Sequence, residues 1–293
     1  MRVLITADLH YDILRSREPT EALAARACKA GGDALVLVGD IAGADVSVLR
    51  DCLALFAGFG GRKLFVPGNH DLWRLEGESS LHRYRHVLPA VAAEEGFVML
   101  DHAPQTLGGV GLVGSVGWYD YSFRDESLGL PHAFYEHKVA PGAAAYYDDE
   151  YGHLIDSYRG DLTSEQMDIT ARWMDGVWVR LGMSDAAFAG QLADRLAAQL
   201  ADLAGRTRRI LAFIHHLPFR EQVPRDRPPR FAFAAAFMGA ERLGQALLAE
   251  PKVTHVFSGH SHWPDRRRIG HVQAVNIGST YVDKQLEVLD LED

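Results

Sequence analysis

Val3-Leu4-Ile5-Thr6-Ala7-Asp8-Leu9-His10 sets the pattern for the chain: a compact apolar run, then a carboxylate and an imidazole two residues apart. A polar loop follows, then a predicted helix through Glu21-Cys28 that ends at Gly31-Gly32. Ala34-Leu35-Val36-Leu37-Val38 is a second run rich in β-formers, and Val46 to Phe56 has helical spacing. Lys63-Leu64-Phe65-Val66 is a third run, followed by a helix from about Leu81 to Glu95. Short unbroken apolar runs alternating with amphipathic helices predict an α/β sheet with both faces covered. From Phe97 to Val116 the pattern changes to short strands, with a hairpin turn at Gly108-Gly109. Trp118 to Gly160 is rich in Tyr, His, Asp and Gly without a period, and so long a loop is expected to be functional or to cover something. Thr163 caps a further helical region, with Gln166 completing a capping box. Ala-rich helix is expected to continue to about Leu203, interrupted near Gly182. The α/β alternation resumes with strand Ile210-Ile214, helix Glu241-Leu248 and strand Val253-Phe257, and the tail at Val272-Ile277 and Leu286-Leu289 is strand-like. Without an internal repeat or interdomain linker, the simplest organisation is one domain over 1–293 with an insertion at about 118–205.

The 293 residues suffice for a sizeable core, and 47% hydrophobic with 24% charged residues is an ordinary globular composition. A formal net charge of -9 argues against gripping long nucleic acid by charge alone. Bound divalent cations would offset part of that charge locally. The two cysteines, Cys28 and Cys52, fall in helix-like apolar stretches and read as small hydrophobes, which suits a reducing compartment. The first residues reach charge too early for a signal peptide, and no apolar stretch is long enough to span a bilayer. A soluble cytoplasmic protein with no membrane partner is expected. The sequence carries no signature of oligomeric state.

Residue types that bind metals recur just past each strong strand. Asp8 and His10 follow the first, Gly39-Asp40 the second and Gly68-Asn69-His70-Asp71 the third. His215 and His216 follow Ile210-Ile214, and Gly259-His260-Ser261-His262 follows Val253-Phe257. Ligands collect at the carboxyl ends of strands in open α/β sheets, so parallel neighbours would bring these clusters to one rim. Singly, Asp-x-His is commonly a turn and Gly-Asp a helix cap, whereas a set of five after five β-runs is hard to produce by chance. Carboxylate, imidazole and amide oxygen without thiolate suit a pair of divalent metal ions, Mn²⁺, Fe²⁺/Fe³⁺ or Zn²⁺. Asp40 can bridge both through its two oxygens. Two metals about 3.5–4 Å apart clamp a phosphoryl group and generate hydroxide near neutral pH.

The spread of these motifs from Asp8 to His262 resembles the calcineurin-like metallophosphoesterase superfamily. The resemblance implies a four-layer αββα sandwich, two mixed sheets face to face and flanked by helices, with a large loop and helical insertion. It implies a first metal on Asp8, His10, Asp40 and His262, and a second on Asp40, Asn69, His215 and His260. His215 is preferred to His216 because similar segments place the ligand first and a proline shortly after, as at Pro218. His70 would donate a proton to the leaving group or stabilise the transition state, Asp71 would orient His70, and a metal-held hydroxide would attack phosphorus in line. Protein Ser/Thr phosphatases of the superfamily carry Asp-Arg-Gly after the Gly-Asp and Glu after the Asn-His. Here Gly39-Asp40-Ile41-Ala42-Gly43 and Asn69-His70-Asp71 depart from both, so a phosphoprotein phosphatase is not expected.

The expected function is binuclear metal-dependent hydrolysis of a small phosphodiester or phosphomonoester, with nucleotides among the candidates. A metal-dependent nuclease, which needs an open groove, and a non-catalytic interaction module on the same fold are the rivals. In Gly117-Trp118-Tyr119-Asp120-Tyr121-Ser122-Phe123-Arg124, Trp118 and Tyr119 could stack on a base and Arg124 could meet phosphate; the other reading is a loop packed on its own aromatics. His132, His137 and His153 are candidates for the mouth of the site. Arg225, Arg227, Arg230 and Arg266 to Arg268 are candidates for steering phosphate.

Overall fold

Every residue of the strand Ala34–Val38 is buried, and its alternating side chains go to two different cores. Val36 and Val38 face one way with Val3, Ile5, Leu64 and Val66 of the neighbouring strands. Leu35 and Leu37 face the other way with Leu4 and Phe65. A period of two that is apolar on both sides gives the unbroken runs seen in the sequence. The computed structural model, which describes residues 1–224 and 228–292, shows what covers each face.

A first sheet has the order β11-β1-β2-β3-β4, formed by Glu287–Asp290, Arg2–Thr6, Ala34–Val38, Arg62–Val66 and Phe97–Met99. All its pairings are parallel except that of the edge strand β11 with β1. A second sheet has the order β5-β6-β7-β8-β10-β9. Its strands are Gln105–Leu107, Val110–Ser115, Arg209–Ile214, Val253–Ser258, Val272–Asn276 and Asp265–Ile269. There β6, β7, β8 and β10 are parallel and the two edges antiparallel. Leu112, Leu211, Phe213, Phe257 and Val275 of this sheet pack on the Val3, Ile5, Val36 and Val66 side of the first. The outer faces are closed by helices Leu14–Ala30, Val46–Ala54 and Leu88–Glu94 on the first sheet, and by Asp185–Ala204 and Glu241–Ala249 on the second. The expected αββα sandwich is therefore present. The single sheet covered by helices on both faces is replaced by two mixed sheets, each with one face on the other.

Other differences have local causes. The first helix begins at Leu14, ahead of the predicted start, and the hydroxyls of Ser16 and Thr20 donate to the Leu9 carbonyl (2.6 and 3.2 Å). The helix predicted from Leu81 is π-wound over Arg83–Val87. Pro89 lies two residues beyond it, and in a regular α-helix its ring would meet the Arg85 carbonyl. Gly108 and Gly109 make the β5–β6 hairpin turn, both at positive φ. The capping box forms at Thr163 and Gln166, but the helix it opens stops at Met167. Extended chain and a short helix, Asp175–Trp178, then occupy the stretch predicted as helix up to the break near Gly182. The long helix starts at Asp185, capped by Ser184, and packs on β6 and β7 as part of the outer layer. Between β6 and that helix, residues 118–184 form short helices that include His132–Glu136, Pro141–Tyr146 and Asp148–Ser157. No helix among the described residues is long and apolar enough to cross a membrane.

Candidate metal centre

The carboxyl ends of β1, β2 and β3 in one sheet and β7 and β8 in the other open at the same end of the sandwich. Asp8 and His10 follow β1, Asp40 follows β2, Asn69 follows β3, His215 follows β7, and His260 and His262 follow β8. The chain turns sharply there: Asp8, His10, Asp40, His260 and His262 have φ of 57, 43, 52, 69 and 55°. Left-handed backbone at a residue with a side chain costs on the order of 1–3 kcal/mol and persists where surrounding structure holds it. Here the loops hold one another. Asp8 N–H donates to the Gly39 carbonyl (3.0 Å), His10 N–H to the Asp40 carbonyl (2.8 Å) and Gly259 N–H to the His215 carbonyl (3.1 Å). Asp8 Oδ1 accepts from His260 N–H (2.9 Å), and buried Lys284 donates to the Asp8 carbonyl (2.6 Å).

The side chains form two groups that share Asp40. In the first, His10 Nε2 lies 3.1 Å from His262 Nε2 and 3.6 Å from Asp40 Oδ2, and His262 Nε2 lies 3.8 Å from Asp8 Oδ1. In the second, His215 Nε2 lies 3.3 Å from Asp40 Oδ1 and 3.4 Å from Asn69 Oδ1, with His260 alongside. Tautomers follow from the partners, because a carbonyl only accepts. His215 Nδ1 donates to the Val38 carbonyl (2.9 Å), which turns Nε2 toward Asp40; burial works against a charged ring here, but the Asp40 carboxylate outweighs it and raises the His215 pKa to about 9. His260 Nε2 donates to the Phe237 carbonyl (3.2 Å), leaving Nδ1 for the cluster. Burial holds the pKa of His10 and of His260 well below the usual imidazole value, so both are neutral and offer lone pairs at pH 7.

Divalent cations fit this donor set. Asp8 Oδ2 is buried without a hydrogen-bond partner, and two histidine nitrogens face each other across 3.1 Å. Donor spacings of that size match adjacent ligands around a cation with bonds of about 2.0–2.2 Å. Carboxylate, imidazole and amide oxygen without thiolate suit hard or borderline ions. His216 stands apart from the two groups: its Nδ1 donates to the Val116 carbonyl (2.8 Å), and its ring packs 4.2 Å from the His260 ring. Burial lowers its pKa to about 3.

Several expected site residues have other roles. Asp71 does not bond the His70 ring. Its buried carboxylate accepts the backbone N–H groups of Gly68 (2.8 Å), Ile41 (3.1 Å) and Ala42 (3.0 Å), tying the β2 and β3 loops together. His70 is held by its own N–H to Asp40 Oδ1 (2.9 Å) and by stacking on Trp73, with ring centres 3.8 Å apart. Trp118 and Tyr119 are wholly buried and stack on each other at 4.8 Å, so neither can stack on a substrate. Trp118 Nε1 donates to Asp185 Oδ1 (2.7 Å) and Tyr119 OH to Asp175 Oδ2 (3.1 Å). The self-packed alternative describes them. Arg124 pairs with Glu126 at 3.1 Å and lies outside the cavity at the metal groups. His132, His137 and His153 also lie outside that cavity; His137 and His153 pack on one another at 5.5 Å. Arg266 pairs with Glu287 and Arg267 with Asp265, while Arg268 donates to the Gly270 carbonyl. Arg230 lines the cavity, and Arg225 and Arg227 lie outside the described residues.

The cavity over the two groups measures about 940 Å³. Asp40, Asn69, His70, His260 and His262 form its floor, and Trp73, Trp173, Phe231, Phe233, Met238 and Trp263 contribute its aromatic and apolar walls. Tyr281, unremarked in the sequence, packs its ring 5.0 Å from His10 and 5.1 Å from His262. Asp175 was equally invisible, since no motif surrounds it.

Two face-to-face mixed sheets with paired carboxylate and imidazole groups at their common end define a metallophosphoesterase architecture. The chain belongs to the calcineurin-like phosphoesterase family, whose model matches residues 1–264. That family normally binds two divalent metals, and the membership makes the chain a hydrolase. Among curated proteins no match was found. Similar solved structures include a phosphopantetheinyl hydrolase from Mycobacterium tuberculosis (19% identity, 94% of this chain and 89% of that one, TM-score 0.64). A dimetal phosphatase from Danio rerio is similar at 16% identity over 97% and 88% of the chains, with a TM-score of 0.54. A protein from Thermus thermophilus is similar at 13% identity over 99% and 98%, with a TM-score of 0.55. At these identities the likeness is one of fold.

Proposed function

We propose that the chain hydrolyses a small phosphodiester or phosphomonoester at two divalent cations, one held by Asp8, His10, Asp40 and His262 and the other by Asp40, Asn69, His215 and His260. The observation that carries this reading is the convergence of these side chains into two donor groups sharing Asp40 at the floor of one cavity. When bound, the ions supply Lewis-acid charge at the phosphoryl group and a water acidified toward neutral pH. The chain's own residues do the rest. His70, on the cavity floor between Trp73 and His10, serves the leaving oxygen as proton donor or meets the charge that develops on phosphorus. Asp71 keeps the two loops in register from behind. The volume exceeds what phosphate needs, and its aromatic walls favour an ester with a bulky apolar or aromatic group, with Arg230 near the mouth for a second anionic group.

Purified protein with Mn²⁺ should cleave bis-p-nitrophenyl phosphate or p-nitrophenyl phosphate, lose the activity in EDTA and recover it on added Mn²⁺. Full turnover in chelator would contradict the proposal. Cleavage of single-stranded oligonucleotides in preference to small esters would favour a nuclease, and far fewer than two ions per chain would favour a non-catalytic module. A phosphopantetheinyl ester belongs in the substrate panel, because the Mycobacterium tuberculosis structure is named for that group. His70→Ala is expected to keep both ions and lower kcat by about 10²-fold. A kcat within threefold of the unsubstituted chain would remove His70 from the reaction.

A further inference from the structure

Asn69 differs from the other candidate ligands in one respect. Its amide can turn either an oxygen or an NH₂ toward a cation, and only the oxygen can bind. Something must choose the orientation. Asp175, 1% exposed, lies against the amide and accepts from Asn69 Nδ2 at 2.9 Å. A carboxylate that only accepts forces the nitrogen toward itself and leaves Asn69 Oδ1 facing His215 Nε2, 3.4 Å away.

The same carboxylate accepts three more bonds: Trp73 Nε1 on Oδ1 (2.7 Å), and Tyr119 OH (3.1 Å) and Trp173 Nε1 (2.8 Å) on Oδ2. All four donors are uncharged. Trp73 is the ring stacked on His70, and Trp173 packs its ring 5.7 Å from His260. Asp175 thus touches, directly or through one ring, an amide of the second group, an imidazole of the second group and the proposed proton donor. It comes from the segment between β6 and the helix Asp185–Ala204, outside every strand-end motif.

We infer that Asp175 is a positioning residue for the second cation, fixing the Asn69 amide with its oxygen toward the metal. The inference rests on the two-cation proposal above. Partners that orient a metal ligand in this way typically contribute about 10–100-fold in metal affinity. Asp185 provides the structural comparison. It is also buried and accepts from Trp118 Nε1 (2.7 Å), Tyr121 OH (2.5 Å) and Lys138 Nζ (2.5 Å), but no candidate ligand is among its partners.

The test is calorimetric titration with Mn²⁺, alone and without substrate, on the full chain, with folding checked by circular dichroism. The unsubstituted chain should bind two Mn²⁺; fewer overturns the two-cation reading and this assignment with it. Given two, Asp175→Ala should keep the first and bind the second at least about 10-fold more weakly. Asn69→Ala should show a similar selective loss. Asp175→Ala on the Asn69→Ala background should add less than twofold, because the two act through one amide. Asp185→Asn should bind both ions as the unsubstituted chain does. Unchanged second-site affinity in Asp175→Ala, or losses that multiply in the double variant, overturn the assignment. Should Asp175→Ala not fold, the orientation can be inverted. Asn69→Asp alone sets two carboxylates face to face and should lose the second ion, and Asp175→Asn added to it restores a donor between them. Recovery of second-site affinity in that pair supports the assignment, and no recovery overturns it.

Discussion

Asp40→Ala is expected to remove both Mn²⁺ ions and to lower kcat/KM for an activated phosphodiester by at least about 10³-fold, roughly 4 kcal/mol of transition-state stabilisation. The size of the effect follows from one side chain serving both groups. Asp40 is 2% exposed, with Oδ2 toward His10 (3.6 Å) and Oδ1 toward His215 (3.3 Å). Burial by itself would raise its pKa, but the imidazoles beside it, His215 first and then His70, outweigh burial and hold the carboxyl well below the usual range. Without that charge, two dications would face each other across a cluster of imidazoles with no bridging anion. Asp40→Asn should separate the two halves. Oδ1 also accepts the His70 N–H at 2.9 Å, so the amide places its oxygen there and its NH₂ toward His10, in the first group. That variant is expected to lose the first ion in preference to the second. Elemental analysis alongside hydrolysis of bis-p-nitrophenyl phosphate checks both variants. Retention of two ions by Asp40→Ala, with activity inside a tenfold window, would sink the bridging role.

Strand-end motifs were legible because their physics is local. A five-residue apolar run such as Ala34–Val38, bounded by Gly31-Gly32 and Gly39, is short enough to read as a buried strand, and Gly39-Asp40 directly after it marks the turn where a side chain escapes the sheet. Two partner sheets were not legible from periodicity, since a residue facing a second sheet and one facing a helix are equally apolar: Val36 and Leu35 look alike. That distinction came through the family resemblance. Residues that support the cluster from behind were invisible for a related reason. Asp175 and Tyr281 reach it through tertiary packing, from segments with neither period nor motif. Trp118 and Tyr119 were ambiguous because an aromatic run past a strand end is consistent with a base platform or with a buried stack. The decision lay with acceptors far along the chain, Asp185 and Asp175, which draw both rings inward. Asp71 misled through adjacency: a carboxylate beside His70 in sequence turns its side chain to the backbone of another loop.

Gly68→Ala is expected to destabilise the fold by about 3 kcal/mol and to weaken binding of both ions. A methyl group at Gly68 would sit 2.1 Å from Asp40 Oδ1, 2.3 Å from the Asp40 backbone nitrogen and 2.8 Å from His215 Nε2. Contacts so short require something to move, and little can. β2 and β3 are paired in register up to Val38 and Val66, which sets the two following loops side by side. Asp71 then fastens them by accepting from Gly68 on one loop and from Ile41 and Ala42 on the other. Any retreat of the Asp40 backbone breaks those bonds, and any retreat of Gly68 carries Asn69 away from His215. The glycine is thus needed for close approach, not for an unusual φ. Gly39 meets the same difficulty with a positive φ added, its Cβ falling 2.1 Å from His215 Nδ1. Gly60, where a Cβ would meet nothing within 4 Å, is the matched comparison, and Gly60→Ala should change stability by under about 1 kcal/mol. Urea unfolding of the metal-free proteins reads the stability and Mn²⁺ titration reads the site. Gly68→Ala unfolding at the same urea concentration as Gly60→Ala, with both ions still bound, would mean that the β2 and β3 loops are not interlocked.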